Sequence, residues 1–193
     1  MTTILLARHG ESDWNAAGRW QGHADRPLTD LGRRQAELLG EELAGLELDA
    51  VYASDLRRAW ETAEIAVGSL GLEVVRLPEL REVDVGSWSG LTREEVEARF
   101  PGAVERWRAG APGWEDGETY EEMAERVVQA VRRIAEVHAC GLLLVVSHGG
   151  SIRAVKARAL GLTFHAYRTS RPVEPNAELS ALAVENGSMR LVR

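Results

Sequence analysis

The stretch Ile4-Leu5-Leu6-Ala7-Arg8-His9-Gly10-Glu11-Ser12 decides how this sequence is interpreted. The apolar run 4–7 has the length and composition of a buried strand. Arg8 and His9 follow it directly, where the strand should end in a loop. In open α/β sheets, ligands bind outside the carboxyl ends of the strands. The stretch therefore predicts a functional site at the end of a first, buried strand.

Further apolar runs complete a predicted sheet. The runs 51–53, 74–77 and 142–146 are typical of parallel, buried strands, and each has a helical pattern beside it. The end of the chain differs, because the runs 179–184 and 189–192 flank Asn186-Gly187, a dipeptide that favours a tight hairpin turn. We predict that these last two strands are antiparallel and form one edge of the sheet.

Helical patterns separate the strands. After Thr29, the leucines at positions 31, 38, 39 and 43 repeat at helical spacing, which predicts a helix. The fold class predicted from this order is a three-layer α/β/α sandwich, with a mostly parallel sheet and an antiparallel C-terminal edge. The other predicted helix starts are the N-cap Ser54, the capping boxes of Thr92 with Glu95 and of Thr119 with Glu122, and Gly149-Gly150.

Size, charge and cysteine content restrict the class of protein. A chain of 193 residues with 45% hydrophobic and 27% charged residues is consistent with one globular domain. The net charge of −7 argues against non-specific binding of nucleic acid. Cys140 is the single cysteine, and we interpret it as a small buried residue of a protein in a reducing compartment. With no signal peptide or membrane-length apolar run, we predict a cytoplasmic protein without a membrane partner.

Four separate segments bring charged or titratable side chains to the same edge of the predicted sheet. Independent structural roles would scatter such residues over both edges. Paired guanidinium and imidazole groups suit a dianion, because arginine binds phosphate oxygens bidentately and a helix N-terminus favours anions. The residues are Arg8 and His9 after the first strand, Arg58 after the second, Glu82 after the third, and His148 with Gly149 after the fourth.

These residues lie in blocks that resemble the signature of the histidine phosphatase superfamily, which includes phosphoglycerate mutases. In chain order, the matching blocks are 8–15, 18–32, 54–63, 80–90, 117–119 and 147–150. The resemblance covers nearly the whole chain. It implies a phosphoglycerate mutase-like fold, and we expect a single histidine phosphatase domain over residues 1–193. Within that domain, the segment 86–118 is expected to be a small cap or lid.

The resemblance also implies catalytic roles. His9 is expected to attack phosphorus and form a phosphohistidine, while Arg8, Arg58 and His148 surround the transferring group. Glu82 is expected to be the general acid that protonates the leaving alkoxide, and its carboxylate then activates water. No metal ligand is expected. The residues expected to bind the phosphate or the rest of the substrate are Asn15, Gln21, Gly22 and Gly149.

The reaction that follows phosphohistidine formation distinguishes two alternatives. Mutases of this family generally carry a longer insertion after the acid block, whereas here only residues 91–118 precede the long helix. This length resembles the small phosphatase branch, which includes broad-specificity and α-ribazole phosphatase-like members. We therefore expect hydrolysis of a small phosphomonoester without a cofactor. Phosphoglycerate mutase is the alternative, with 2,3-bisphosphoglycerate as its cofactor. Homodimer formation stays open.

Two other classes of protein are less consistent with the sequence. A metal-dependent hydrolase would use His9 and His148 as ligands, but closely spaced His or Cys ligand pairs are missing from the sequence. A non-catalytic phosphate-binding module would not need the full set of reactive residues.

Tryptophan and the late arginines also need an interpretation. Arg168 and Arg171 lie before Pro172, and two interpretations stay open for them, contact with an acidic group of the substrate or a solvated surface loop, of which we favour the loop. For the tryptophans near the motifs, an aromatic rim for varied organic groups and simple packing under the cap both stay open. These tryptophans are Trp14, Trp20, Trp88, Trp107 and Trp114.

Overall fold

The computed structural model describes residues 1–192 and contains one six-stranded sheet, in the order β3-β2-β4-β1-β5-β6. Strands β1 to β4 pair in parallel, while β5 pairs antiparallel with β1 and with β6. The predicted antiparallel C-terminal edge is therefore confirmed. The strands are β1 (Thr2–Arg8), β2 (Ala50–Ser54), β3 (Val74–Leu77), β4 (Leu142–Ser147), β5 (Leu179–Glu185) and β6 (Ser188–Val192).

Helices cover both faces of the sheet, which confirms the three-layer sandwich. Side chains alternate along a strand: Ile4 and Leu6 pack into one apolar cluster with α6 and α7, while Ala7 joins the opposite cluster with α2 and α3. The helices are α1 (Asp13–Ala16), α2 (Asp30–Leu43), α3 (Arg57–Val67), α4 (Arg93–Arg99), α5 (Ala103–Arg108), α6 (Tyr120–Val137), α7 (Gly149–Ala159) and α8 (Phe164–Ser170), with 3₁₀ turns at Pro78–Leu80 and Gly86–Trp88.

The pairing of β1 with β4 sets the position of the site. These two central strands are parallel neighbours, and Arg8 lies opposite Ser147 in the register. His9 and His148, the next residue of each strand segment, therefore leave the sheet side by side at its carboxyl edge. The N–H of His9 donates to the carbonyl of Ser147 at 2.9 Å, which ties the two segments together.

Local signals predicted several helix and turn boundaries correctly. Thr92 and Thr119 are N-caps with complete capping boxes, and α6 buries its apolar stripe. Asn186 and Gly187 both have positive φ, of 49° and 75°, as a tight hairpin turn between β5 and β6 requires.

Another local prediction was wrong, because tertiary packing decides which face of an element is covered. Strand β3 is at the edge of the sheet, and Val75 is 42% exposed rather than buried. The helix predicted after Thr29 is present as α2, and Leu31 and Leu38 are exposed on it because α2 packs through Gly32, Ala36 and the two later leucines.

Two more sequence interpretations need correction. Ser54 does not cap α3, which begins at Arg57, and its hydroxyl instead accepts a 3.3 Å bond from the N–H of Leu56. Cys140 is exposed and has a positive φ of 69°, so it is a turn residue rather than a buried one.

Within residues 1–192, no helix has both the length and the apolar character that crossing a membrane requires.

Candidate active site

The carboxyl edge of the sheet carries a cavity of about 320 Å³. Of the nine predicted site residues, eight line this cavity. His148 is the exception, because it is fully buried; its ring centroid lies 5.1 Å from that of His9. The eight lining residues are Arg8, His9, Asn15, Gln21, Gly22, Arg58, Glu82 and Gly149.

The tautomer of His9 is set by its neighbour. Nδ1 of His9 lies 2.7 Å from the carbonyl oxygen of Gly10. A carbonyl can only accept, so Nδ1 carries the proton and Nε2 keeps its lone pair. Burial, followed by the charges of Arg58 and Arg8, lowers the pKa of His9 well below its ordinary value. The ring is therefore neutral and nucleophilic at Nε2 near neutral pH.

The Arg58 guanidinium is held by a loop. Arg58 is 1% exposed, and its two terminal nitrogens donate to the carbonyls of Ala24 and Gly22 at 2.8 and 2.9 Å. Burial lowers the pKa of Arg58 to about 10, against the opposing effect of Glu82 and Asp25. The guanidinium therefore stays charged at neutral pH and is already oriented before a ligand binds.

The Arg8 guanidinium is also held by a backbone carbonyl. Its Nη1 donates to the carbonyl of Glu174 at 2.8 Å, and its Nε is buried without a hydrogen-bond partner among the described residues. Nε of Arg58 also has no described partner. Buried donors without partners are rare in folded proteins. Two such donors beside one cavity indicate a site built for an oxyanion.

His148 has the same character. It is fully buried between β4 and α7, and neither ring nitrogen has a hydrogen-bond partner within residues 1–192. Burial, then the positive charge of Arg58, lowers its pKa well below the ordinary value. A neutral imidazole here can donate one N–H to a phosphate oxygen without adding another buried positive charge to those of the two arginines.

Glu82 is attached to the start of α7. Its Oε2 accepts a 2.9 Å bond from the N–H of Gly150, and its Oε1 accepts a 3.0 Å bond from the N–H of Val83. His23 is 2.8 Å from the Glu82 carbonyl through Nε2 and so fixes the backbone. Glu82 lines the same cavity as His9, as a group that transfers a proton to a leaving oxygen must.

Asn15 and Gln21 are joined through one hydroxyl. Oγ of Ser12 lies 3.0 Å from Oδ1 of Asn15 and 2.8 Å from Oε1 of Gln21. Because their oxygens face Ser12, both side-chain NH₂ groups are available as donors toward the cavity. Gly22 has a φ of +49°, and a Cβ there would lie 2.7 Å from Val85. Glycine is therefore required where the loop turns back to hold Arg58.

A comparison with known proteins agrees with this geometry. Residues 4–193 match the model of the histidine phosphatase superfamily (branch 1). The chain belongs to the histidine phosphatase superfamily. Its phosphoglycerate mutase-like α/β fold is confirmed by a mycobacterial glucosyl-3-phosphoglycerate phosphatase solved with VO3, to which it is 32% identical with a TM-score of 0.87, over 98% of this chain and 96% of that one.

Curated relatives of this histidine phosphatase carry two kinds of name. Phosphoserine phosphatase 1 of Hydrogenobacter thermophilus is 35% identical over 164 residues, which cover 84% of this chain and 78% of the relative. A probable phosphoglycerate mutase of Photorhabdus laumondii is 36% identical over 177 residues, which cover 89% and 80%. The phosphatase and the mutase alternatives are therefore both represented among similar proteins.

Sequence reasoning about this histidine phosphatase missed the segment 173–177, which holds the backbone at Arg8 and His9 in place. Asn176 Nδ2 donates to the carbonyl of His9 at 2.7 Å, and the N–H of Ala177 donates to the carbonyl of Arg8 at 2.9 Å. The carbonyl of Glu174 holds the Arg8 side chain. The segment lies about 170 positions after the loop it supports, so no local pattern could have indicated the contact.

Arg126 was also missed, although it lies on the strongest helix. Its guanidinium donates to the carbonyls of Glu79 and Arg81 at 2.9 and 3.1 Å, and to that of Glu82 at 3.3 Å. It also pairs with Glu118 at 2.6 Å. One helical side chain therefore supports the backbone that carries the candidate general acid.

The tryptophans divide between the two interpretations. Trp88 and Trp114 are buried and belong to the apolar core, so they seal the structure beneath residues 86–118. Trp20 and Trp107 are half-buried, stack edge-to-face with centroids 5.0 Å apart, and line the cavity. Packing and an aromatic wall are thus both present, in different residues.

Two further arginines line the cavity. Arg153 on α7 was not singled out from the sequence, and Arg168, interpreted as part of a loop, instead belongs to α8. Arg171, which follows α8, is exposed.

Within residues 1–192, no group of three or more His, Cys, Asp or Glu residues is arranged to hold a metal ion.

Proposed function

We propose that this histidine phosphatase hydrolyses small phosphomonoesters through a phosphohistidine on His9. The observation that carries the proposal is the fixed tautomer of His9, with Nδ1 bonded to Gly10 and Nε2 free beside two oriented guanidinium groups. A neutral nucleophile next to preorganised cations is the arrangement that phosphoryl transfer needs.

In the first step, Nε2 of His9 attacks phosphorus. An N–P bond forms and the P–O bond to the organic group breaks, while Glu82 transfers a proton to the leaving oxygen. Arg8, Arg58 and His148 donate to the equatorial oxygens, where negative charge accumulates. Asn15, Gln21 and the start of α7 at Gly149 supply the remaining donors.

In the second step, water attacks the phosphohistidine. The Glu82 carboxylate accepts a proton from that water, the O–P bond forms, and the P–N bond breaks. His9 returns to its neutral form and inorganic phosphate leaves. The proton balance is closed, since the proton that Glu82 donates in the first step is regained in the second.

The dimensions of the cavity support a small-molecule substrate. About 320 Å³ is at the lower end of the range for small-ligand sites. The short segment 91–118 supports hydrolysis rather than the mutase reaction, and broad-specificity and α-ribazole phosphatase-like activity are the expected forms. Because one relative is named a phosphoserine phosphatase, phosphoserine is a further candidate substrate. The proposal includes no cofactor, no nucleic-acid or membrane partner, a cytoplasmic location, and a lid role for 86–118 within a single domain.

The nucleophile is tested by trapping the phosphoenzyme. Wild-type protein mixed with radiolabelled substrate and quenched in base should carry label that is stable to base and released by acid. His9→Ala should lose both the label and turnover, whereas His165→Ala, an exposed histidine on α8, should keep both. Label or turnover retained by His9→Ala would overturn the assignment.

Hydrolysis and mutase activity are separated by the products. Release of inorganic phosphate from phosphomonoesters should be independent of 2,3-bisphosphoglycerate. Interconversion of phosphoglycerates that exceeds phosphate release, and that depends on 2,3-bisphosphoglycerate, would favour the mutase alternative instead.

A further inference from the structure

The side chain of His23 contacts the segment that carries the candidate general acid. Its ring is half-buried, and Nε2 lies 2.8 Å from the carbonyl oxygen of Glu82. A carbonyl oxygen can only accept, so Nε2 carries a proton and donates it. The other ring nitrogen, Nδ1, lies 3.9 Å from Oδ2 of Asp84. Nε2 keeps its N–H whether or not Nδ1 is protonated, so the bond to Glu82 exists in both protonation states of the ring.

The two residues that flank His23 hold the buried guanidinium of the phosphate site. The carbonyls of Gly22 and Ala24 accept from the two terminal nitrogens of Arg58, at 2.9 and 2.8 Å. Three consecutive residues therefore contact both functional groups. They reach Arg58 through two backbone carbonyls and the backbone of Glu82 through one side chain. The position of the acid segment relative to the phosphate-binding guanidinium is thus set through a single tripeptide.

The loop around His23 also has anchors that do not involve its ring. The N–H of Ala24 donates to the carbonyl of Gln21 at 2.9 Å, and the N–H of Trp20 donates to the carbonyl of Leu91 at 2.9 Å. Loss of the imidazole should therefore leave the loop, and the guanidinium that it holds, in place. What the protein would lose is the connection between this loop and the acid segment.

A general acid has to be placed against an oxygen whose own position is set by the bound phosphoryl group. Proton transfer needs a heavy-atom distance of roughly 2.6–3.2 Å, and a misplacement of about 1 Å can cost on the order of 100-fold in rate. The carboxyl group of Glu82 is held at the start of α7 by Gly150. The bond from His23 adds a second reference point, on the side of the phosphate.

We propose that His23 is a positioning residue, which aligns the carboxyl group of Glu82 with the leaving oxygen of a phosphate held by Arg58. The inference rests on the proposed function and adds to it a residue that acts through the general acid. His23 is not among the described residues that line the cavity. Its effect should therefore appear only on esters whose leaving group needs a proton.

His23→Phe tests this role, because it keeps an aromatic ring and removes the N–H. We expect kcat/KM for an alkyl phosphate to fall about tenfold, while kcat/KM for p-nitrophenyl phosphate stays near the wild-type value. The inhibition constant of vanadate should also stay near the wild-type value, which shows that the phosphate site is intact. His165→Phe, at an exposed position on α8, is the matched control and should change none of the three. Equal losses on both ester types in His23→Phe would contradict the proposal.

The conservative variant His23→Gln separates the hydrogen bond from packing. Its side-chain NH₂ group can take the place of the Nε2 donor, so it should recover most of the alkyl-ester activity that His23→Phe loses. Wild-type activity on alkyl esters in His23→Phe, or equal losses in the Phe and Gln variants, would show that the N–H is not what matters and would overturn the inference.

A double variant tests whether His23 acts through Glu82. Residues that act through one another have non-additive effects. In a Glu82→Gln background, His23→Phe should therefore cause no further loss on alkyl esters, and additive losses would overturn the inference. The single variants separate the two proposals. A leaving-group pattern in Glu82→Gln that is missing from His23→Phe overturns the inference alone, whereas its absence from Glu82→Gln overturns the acid role and the inference together.

Discussion

The N–H of Gly150 donates a 2.9 Å hydrogen bond to Oε2 of Glu82, and this bond joins two segments that are 68 residues apart. It places the candidate general acid at the start of α7, immediately after His148. The candidate acid is therefore held beside the end of β4, and the candidate nucleophile His9 directly follows β1, the strand that pairs with β4.

Glu82→Gln should slow esters of alkyl alcohols far more than p-nitrophenyl phosphate. An alkoxide needs a proton to leave, whereas p-nitrophenolate hardly does, so we expect a loss of about 10²–10⁴-fold for alkyl esters alone. Steady-state rates on both ester types measure this. Glu79→Gln, an exposed glutamate nearby, is the control. Equal losses on both ester types would contradict the acid role.

Gly150→Ala should produce the same leaving-group pattern without changing the carboxyl group. A Cβ at this position would lie 2.2 Å from Oε1 of Glu82, so the carboxylate must move away from α7. Gly68→Ala is the matched control, since its Cβ would meet nothing closer than 3.2 Å and it ends α3, away from the cavity. Wild-type rates on alkyl esters in Gly150→Ala would show that Glu82 does not need this bond.

Arg126→Gln should weaken both stability and alkyl-ester turnover, because three carbonyls of the acid segment lose their shared donor. The variant also leaves Glu118 without its ion-pair partner, which destabilises the fold further. We therefore expect the free energy of unfolding to fall by about 1–3 kcal/mol. Urea titration and steady-state kinetics measure the two effects. Arg133→Gln, on the same helix but largely exposed, should change neither. Equal stability and equal alkyl-ester turnover in the two variants would contradict a supporting role for Arg126.

The stability of the free protein should decrease as pH falls below about 6.5, the ordinary histidine pKa. His9 and His148 have lowered pKa values in the folded state, so the unfolded chain takes up protons there that the folded chain does not. Each histidine contributes up to about 1.4 kcal/mol per pH unit. The slope is measured by urea unfolding between about pH 7.5 and pH 5.5. It should be shallower in His148→Asn and unchanged in His165→Gln.

Activity should persist in EDTA, because Arg8 and Arg58 supply the positive charge that a metal ion would supply elsewhere. Vanadate should inhibit as a mimic of five-coordinate phosphorus, and inorganic phosphate should compete with it. Loss of activity in EDTA that zinc or manganese restores would instead favour a metal-dependent hydrolase.

The sequence alone determined the order of elements and the residues at the strand ends. Strand β3 was predicted to the residue, and the capping boxes at Thr92 and Thr119 are local signals that survive folding, because their bonds join residues three apart. The convergence of Arg8, His9 and Glu82 on one edge followed from the rule that parallel strands end together.

Only the tertiary structure decided what holds those side chains. Val75 is exposed because β3 has no neighbour on one side, and no pattern within the strand records that. Arg126 and Asn176 act through backbone carbonyls, which every residue possesses and no sequence motif marks. Arg153 and Arg168 meet at one cavity because α7 and α8 pack together. The sequence specifies which groups are available, and the packing of distant segments fixes their orientation, partners and charge balance.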